Sequence, residues 1–117
     1  MAAPAGQYHI ITDQGATFTR QLTWKDDTGA AVNLTGYTAR MQLRTSVAND
    51  SVVLELTDGN GRIALGGAAG TITLTVTAED MTTLPPLKYV YDLELVDGAV
   101  VTRLVQGTFT VRPEVTR

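Results

Sequence analysis

Cysteine is absent from this chain of 117 residues, and histidine occurs once, as His9. Without cysteine, disulfide bonds and thiolate zinc sites are excluded, so the core alone must hold the fold together. With one histidine, a histidine-based catalytic triad and a multi-histidine metal site are excluded as well. The sequence therefore predicts a non-enzymatic protein with no metal and no other cofactor.

A surplus of basic residues is also missing. Nine Lys and Arg face twelve Asp and Glu, and the net charge is −3. Nucleic-acid binding needs Lys and Arg clustered on one face, and no such cluster occurs. No apolar run approaches the roughly 20 residues that span a bilayer. We therefore expect no nucleic-acid partner and no membrane insertion.

The first six residues have neither the basic region nor the apolar stretch of a signal peptide. We interpret residues 1–6 as a flexible N-terminal arm and expect synthesis in a cytoplasm.

Threonine and glycine are abundant, and apolar residues recur at every second position. The segment from Thr71 to Thr77 is the clearest case, because Ile72, Leu74 and Val76 alternate with threonines. Period-two alternation predicts a β-strand with one buried face. The same pattern predicts further strands over 7–12, 15–24, 37–44, 52–57, 63–65, 87–96 and 100–111.

Residues 78–84 interrupt this alternation and end at Pro85-Pro86. Thr77 can cap a short helical turn, with Glu79 and Asp80 near its positive end. A crossover of this kind joins the two sheets of a Greek-key sandwich. We therefore predict an all-β fold, an immunoglobulin-like antiparallel β-sandwich of seven to eight strands, as a single domain over residues 7–117. A closed barrel is the second choice.

Three sets of acidic residues invite a functional interpretation. The stretch Asp58-Gly59-Asn60-Gly61 superficially resembles a calcium loop, but it is too short and ends at Arg62, so we predict a turn. The same explanation applies to Asp26-Asp27. Asp92 and Glu94 lie on one outward strand face, and we expect them to pair with Arg40 and Arg44 rather than to form a glycosidase dyad.

The aromatic residues share the parity of the aliphatic core positions, so no aromatic sugar-binding platform is predicted. The set comprises Phe18, Trp24, Tyr37, Tyr89, Tyr91 and Phe109. Tyr89 follows the Pro85-Pro86 corner and resembles the tyrosine of a tyrosine corner, whose hydroxyl binds nearby backbone. Gly107 is predicted to mark a bulge or a close backbone approach.

Five apolar residues occupy the parity opposite to the predicted core. They are Val53, Val90, Val96, Val100 and Leu104. Scattered valines are ordinary on a sheet surface, but if they converge they form a docking surface for a partner or a second copy.

The order of segments resembles a family of phage proteins. The run from Phe18 to Gly29 is followed by Leu34-Thr35-Gly36-Tyr37, a charged strand ending at Arg44, and a late strand from Lys88 to Leu95. This order is similar to small tailed-phage virion proteins and to the N-terminal domain of the upper baseplate proteins of siphophages. The resemblance covers roughly residues 15–111 and brings no catalytic residues with it.

The resemblance implies a non-enzymatic structural component of a bacteriophage particle. Such a protein docks or oligomerises in the tail, baseplate or fibre-attachment region. It is located in the virion after synthesis in the host cytoplasm. Its expected partners are other virion proteins and copies of itself, without a small-molecule substrate. A capsid decoration protein and an adhesion or carbohydrate-binding immunoglobulin-like module are the alternatives.

Overall fold

The computed structural model describes residues 6–116, which form nine strands and one short α-helix. The strands are β1 (Gly6–Gln7), β2 (Ile10–Asp13), β3 (Phe18–Thr23), β4 (Thr38–Arg44), β5 (Leu54–Thr57), β6 (Ile63–Leu65), β7 (Thr71–Val76), β8 (Lys88–Asp97) and β9 (Val100–Arg112). Helix α1 (Ala78–Thr82) lies between β7 and β8, and a 3₁₀ turn (Gly67–Ala69) lies between β6 and β7. No helix in this part of the chain has the length and apolar character needed to cross a membrane.

The strands form two sheets. The larger has the order β1-β9-β8-β4-β5, with β2 also paired to β9, and the smaller has the order β3-β7-β6. The prediction of an all-β fold is therefore confirmed. The order β9-β8-β4 in one sheet and β3-β7-β6 in the other is consistent with the G-F-C and B-E-D strands of an immunoglobulin-like sandwich.

The N-terminal strand differs from the prediction, which placed one strand over 7–12. It consists of β1 and β2, separated by Tyr8 and His9, and both pair in parallel with β9. At the break, His9 Nδ1 accepts a hydrogen bond from the backbone N–H of Thr108 at 3.1 Å. The side chain thus satisfies a donor that the main-chain ladder leaves free, and the strand count rises to nine. Of the predicted arm, residues 1–5 lie outside the described residues and Gly6 begins β1.

One hydrophobic core lies between the two sheets and draws on both. In the small sheet, Ile72, Leu74 and Val76 are buried as the alternation predicts. In the large sheet, Tyr89 and Phe109 belong to the same cluster, and Phe18 packs edge-to-face on Phe109 with ring centroids 5.1 Å apart. Burial of aromatic and aliphatic side chains supplies the main stabilisation, since no disulfide contributes.

Helix α1 carries the chain from the small sheet to the large one, as predicted for residues 78–84. The Thr77 hydroxyl oxygen accepts a hydrogen bond from the Asp80 N–H at 3.2 Å and caps the helix. Met81 is buried beneath the turn, and Arg62 binds the Asp80 carboxylate at 2.8 Å. Leu84 at the end of the crossover is buried as well, and its carbonyl accepts a hydrogen bond from the Gln14 amide at 3.0 Å.

The tyrosine corner is confirmed. The Tyr89 hydroxyl donates a 2.6 Å hydrogen bond to the carbonyl oxygen of Pro85, four residues earlier. This bond fixes the direction in which β8 leaves the Pro85-Pro86 corner.

Candidate functional site

The outward side of the large sheet, which we call the polar face, carries its side chains in rows that cross the strands. The pairing register sets Gln42 of β4 beside Asp92 of β8, Asp92 beside Gln106 of β9, and Gln106 beside Gln7 of β1. Glu55 of β5 extends this row on the far side of Gln42. Because side chains alternate between the faces of a strand, all five project from the outer surface.

Two further rows flank this central row, one on each side. Arg40, Glu94 and Arg103 are neighbours across β4, β8 and β9. On the other side, Arg44 lies beside Val90, and Val90 lies beside Thr108. The Thr108 hydroxyl is 3.0 Å from His9 Nδ1, which completes this row at the edge of the sheet.

The ion pairs on the polar face match the prediction in part. Arg40 Nε binds Glu94 Oε1 at 2.7 Å, as expected. Asp92 lies 3.4 Å from Arg103 instead of pairing with Arg44. The register places Arg44 opposite Val90, so its guanidinium donates to Gln42 Oε1 at 2.7 Å and to the Asn49 carbonyl at 2.9 Å.

The polar face is concave. A depression of about 700 Å³ opens on it, with Gln7, Gln106, Asp92 and Arg44 on its walls and Val90 within its lining. This volume lies within the range typical of small-molecule sites, although the lining is more polar than is usual for them.

A second candidate surface is the uncovered edge of β9. Strands β1 and β2 pair with β9 from Val105 to Arg112, while on that side residues 100–104 have no strand partner among the described residues. Val100 is 65 % exposed and Val101 is 48 % exposed. We call the segment Val100–Leu104 the hairpin edge, because it follows the turn that joins β8 to β9.

The five predicted docking residues lie in different places. Val90 and Val96 are half-buried on the outer side of β8, and Val100 is at the tip of the β8–β9 hairpin. Val53 and Leu104 are partly buried and pack against the core, so their predicted outward position is wrong. That any of the five residues docks a partner stays a prediction.

A β-bulge explains the error at Leu104. The β8–β9 register shifts between Leu93 and Glu94, and Leu104 is left without a Cα partner in β8. An extra residue in one strand reverses the parity of everything beyond it. Val101 therefore pairs with Val96 on the outer face, where simple alternation did not place it.

The turn interpretation of the acidic stretches is confirmed. Asp58 Oδ1 accepts from the Ala39 N–H at 2.9 Å, and Asn60 Oδ1 accepts from the Thr57 N–H at 3.0 Å. Asp26 Oδ1 accepts from the hydroxyl and the N–H of Thr28, and these hydrogen bonds hold the pKa of Asp26 below its usual value. Within residues 6–116, no three His, Asp or Glu side chains gather where they could hold a metal ion.

Comparison of the sequence with protein-family models gives no match, and neither does comparison with curated proteins.

Proposed function

We propose that the protein is a non-enzymatic structural component of a bacteriophage particle that docks to a neighbouring subunit through the hairpin edge. The protein would lie in the tail, baseplate or fibre-attachment region of that particle. The order of segments, which resembles siphophage upper baseplate proteins, supports a place in a phage particle. The geometry of β9 supports docking through the hairpin edge.

The observation that carries the proposal is the mismatch in length between β9 and its outer neighbours. Strand β9 has 13 residues, whereas the first residue that β1 covers is Val105. The hairpin edge thus offers unpaired backbone donors and acceptors beside two exposed valines. Natural sheets usually protect such an edge with lysine, proline or a covering segment.

Strand addition is the contact that this geometry favours. A strand from a neighbour would continue the sheet beside residues 100–104, and backbone hydrogen bonds would supply affinity. Val101 would then lie within the contact, since its side chain is on the outer face next to Val96. An apolar pair beside newly formed backbone bonds provides the hydrophobic part of the interface.

A substitution at the edge tests the proposal in particles assembled in the phage host. Val101→Lys places a charge on the edge and is expected to abolish incorporation of the protein into particles, while the purified variant keeps the wild-type melting temperature. Val47→Lys is the matched control, because Val47 is 89 % exposed in the loop between β4 and β5. It is expected to assemble as the wild type does.

Absence of the wild-type chain from purified particles would contradict the structural role itself. Normal incorporation of Val101→Lys would instead contradict docking at the hairpin edge. A variant beginning at Gly6 tests the competing occupant, the chain's own first five residues, because Gly6 pairs with Val105 at the end of this edge. Docking by a neighbour predicts that this variant still assembles.

A further inference from the structure

The central row of the polar face contains hydrogen-bonding groups that the protein itself leaves free. Gln42 is engaged, since it donates to Glu55 at 2.8 Å and accepts from Arg44. Within residues 6–116, the side-chain amides of Gln7 and Gln106 have no protein partner. Asp92, which lies between Gln42 and Gln106, has only the 3.4 Å contact with Arg103. An amide offers two donors and an acceptor, and a carboxylate offers only acceptors.

The spacing of these groups is regular. Neighbouring strands lie about 4.8 Å apart, so the four side chains from Gln42 to Gln7 span about 14 Å, the length of about three pyranose rings. A ligand that lies along this row and uses the free groups of Asp92, Gln106 and Gln7 must therefore be extended across the strands and must present polar groups at each step.

The charges of the three rows cancel. Arg40, Arg44 and Arg103 are balanced by Glu55, Asp92 and Glu94. An acidic polymer such as a nucleic acid gains little from such a surface, because its binding requires a net positive field. A neutral ligand rich in hydroxyl groups matches the balance, since each hydroxyl is both a donor and an acceptor.

We propose that the polar face binds a neutral oligosaccharide that lies across β4, β8, β9 and β1. Asp92 accepts from vicinal hydroxyls of one ring, and Gln106 and Gln7 bind the next rings along the chain. Val90, in the neighbouring row, gives an apolar contact for the C–H surface of a sugar. This site shares only Arg103 with the hairpin edge. The groups proposed to bind the sugar lie outside that segment, so the site does not depend on the proposed function.

The affinity follows from the chemistry of the face. The core holds the aromatic rings of Tyr89, Tyr91 and Phe109, so sugar stacking on those rings does not contribute. Hydrogen bonds exchanged with water contribute little each, so a dissociation constant of about 1 mM is expected. Weak sites of this kind become effective when many copies act together.

Nuclear magnetic resonance titration of the full chain tests the site. The probes are cellopentaose, maltopentaose and laminaripentaose, which are neutral and differ in linkage. At least one is expected to shift the side-chain amide signals of Gln7 and Gln106, together with backbone signals around Asp92. Gln106→Ala and Asp92→Asn, both on the outer surface, are expected to weaken binding about five- to tenfold each.

Gln21→Ala is the matched control, because Gln21 is an exposed glutamine on the outward side of β3 in the small sheet. It is expected to bind as the wild type does. Absence of shifts with all three sugars, shifts confined to the hairpin edge, or undiminished binding by both polar-face variants would overturn the proposal. None of these results bears on assembly into particles, so the two proposals fail independently.

Discussion

At the scale of single residues, the carbonyl of Tyr8 is the point at which the N-terminal segment is attached to the sandwich. The Tyr91 hydroxyl donates to it at 2.6 Å, and Gly107 lies so close that an added Cβ would be 2.4 Å from the same oxygen. Only glycine leaves room for this approach, as the sequence predicted for Gly107.

Gly107→Ala should therefore destabilise the protein by about 2 kcal/mol, because the backbone of β1 and β2 must move away from β9. Urea denaturation followed by tryptophan fluorescence measures the change. Gly59→Ala is the control, since its added Cβ has no neighbour nearer than 3.7 Å. Equal stability of the two variants would show that the close approach at Tyr8 is not tight.

The buried tyrosine hydroxyls give a second prediction. Burial raises the pKa of Tyr89 above 10.0, the usual value, because the phenolate is poorly solvated in the core. The folded state then retains a proton that the unfolded chain loses. Stability is accordingly complete below pH 10 and falls as the pH rises towards the folded pKa.

Tyr89→Phe should lower the free energy of unfolding by about 1 kcal/mol at neutral pH, because the Pro85 carbonyl loses its donor. The loss of stability between about pH 8 and about pH 11 should also be smaller than in the wild type. Urea denaturation at both values measures the two effects. If this variant lost as much stability at alkaline pH as the wild type does, Tyr89 would not contribute to that loss.

At the scale of elements, the crossover helix joins the sheets through a small number of polar contacts. The guanidinium of Arg62 lowers the pKa of Asp80 below 3.8, its usual value, and the Thr77 hydroxyl adds to the effect. A lowered pKa stabilises the fold above pH 3.8, and this contribution is lost as the pH falls through the folded value.

Asp80→Asn should therefore weaken the dependence of the melting temperature on acid between about pH 6 and about pH 3. Circular dichroism during heating at each pH measures it. Asp50→Asn is the control, because Asp50 lies in the exposed loop before β5 and forms no ion pair within residues 6–116. An acid response of Asp80→Asn equal to that of the wild type would contradict a role for the Arg62–Asp80 pair.

The same elements show how much of the fold the sequence could predict. Alternation located the strands, and the Thr77 cap with the Pro85-Pro86 corner located the crossover, since these signals depend on local sequence alone. The bulge at Leu104 and the break at His9 carry no such signal. The break at His9 is decided by how β9 pairs with strands far away in the sequence, and the bulge by the register within the β8–β9 hairpin. Each changes which side chains face outward.

At the scale of the whole molecule, the candidate sites are the features that local sequence predicts least well, because they depend on how the strands pair. The polar rows were invisible in the sequence because Gln7 and Gln106 are 99 positions apart and meet only through the parallel pairing of β1 with β9. Arg40 and Glu94 could be paired in advance, since their strands were correctly predicted to carry them outward. The hairpin edge required the relative lengths of β9 and β1, which alternation does not give.

The proposed docking edge should be recognisable in the isolated chain by the rate of its amide exchange. In the isolated chain, backbone amides of the hairpin edge should exchange with deuterium faster than those of residues 105–106 and 109–110, which have strands on both sides. Hydrogen exchange read by mass spectrometry separates the two segments. Equal protection of both segments in the isolated chain would mean that the edge is already covered.

Electron microscopy of the particle tests the central claim most directly. At a resolution that traces the chains, we predict density for this protein in the tail, baseplate or fibre-attachment region, with a strand of a neighbouring subunit paired along Val100–Leu104. A particle without this chain, or one in which the hairpin edge faces solvent in every copy, would contradict the claim.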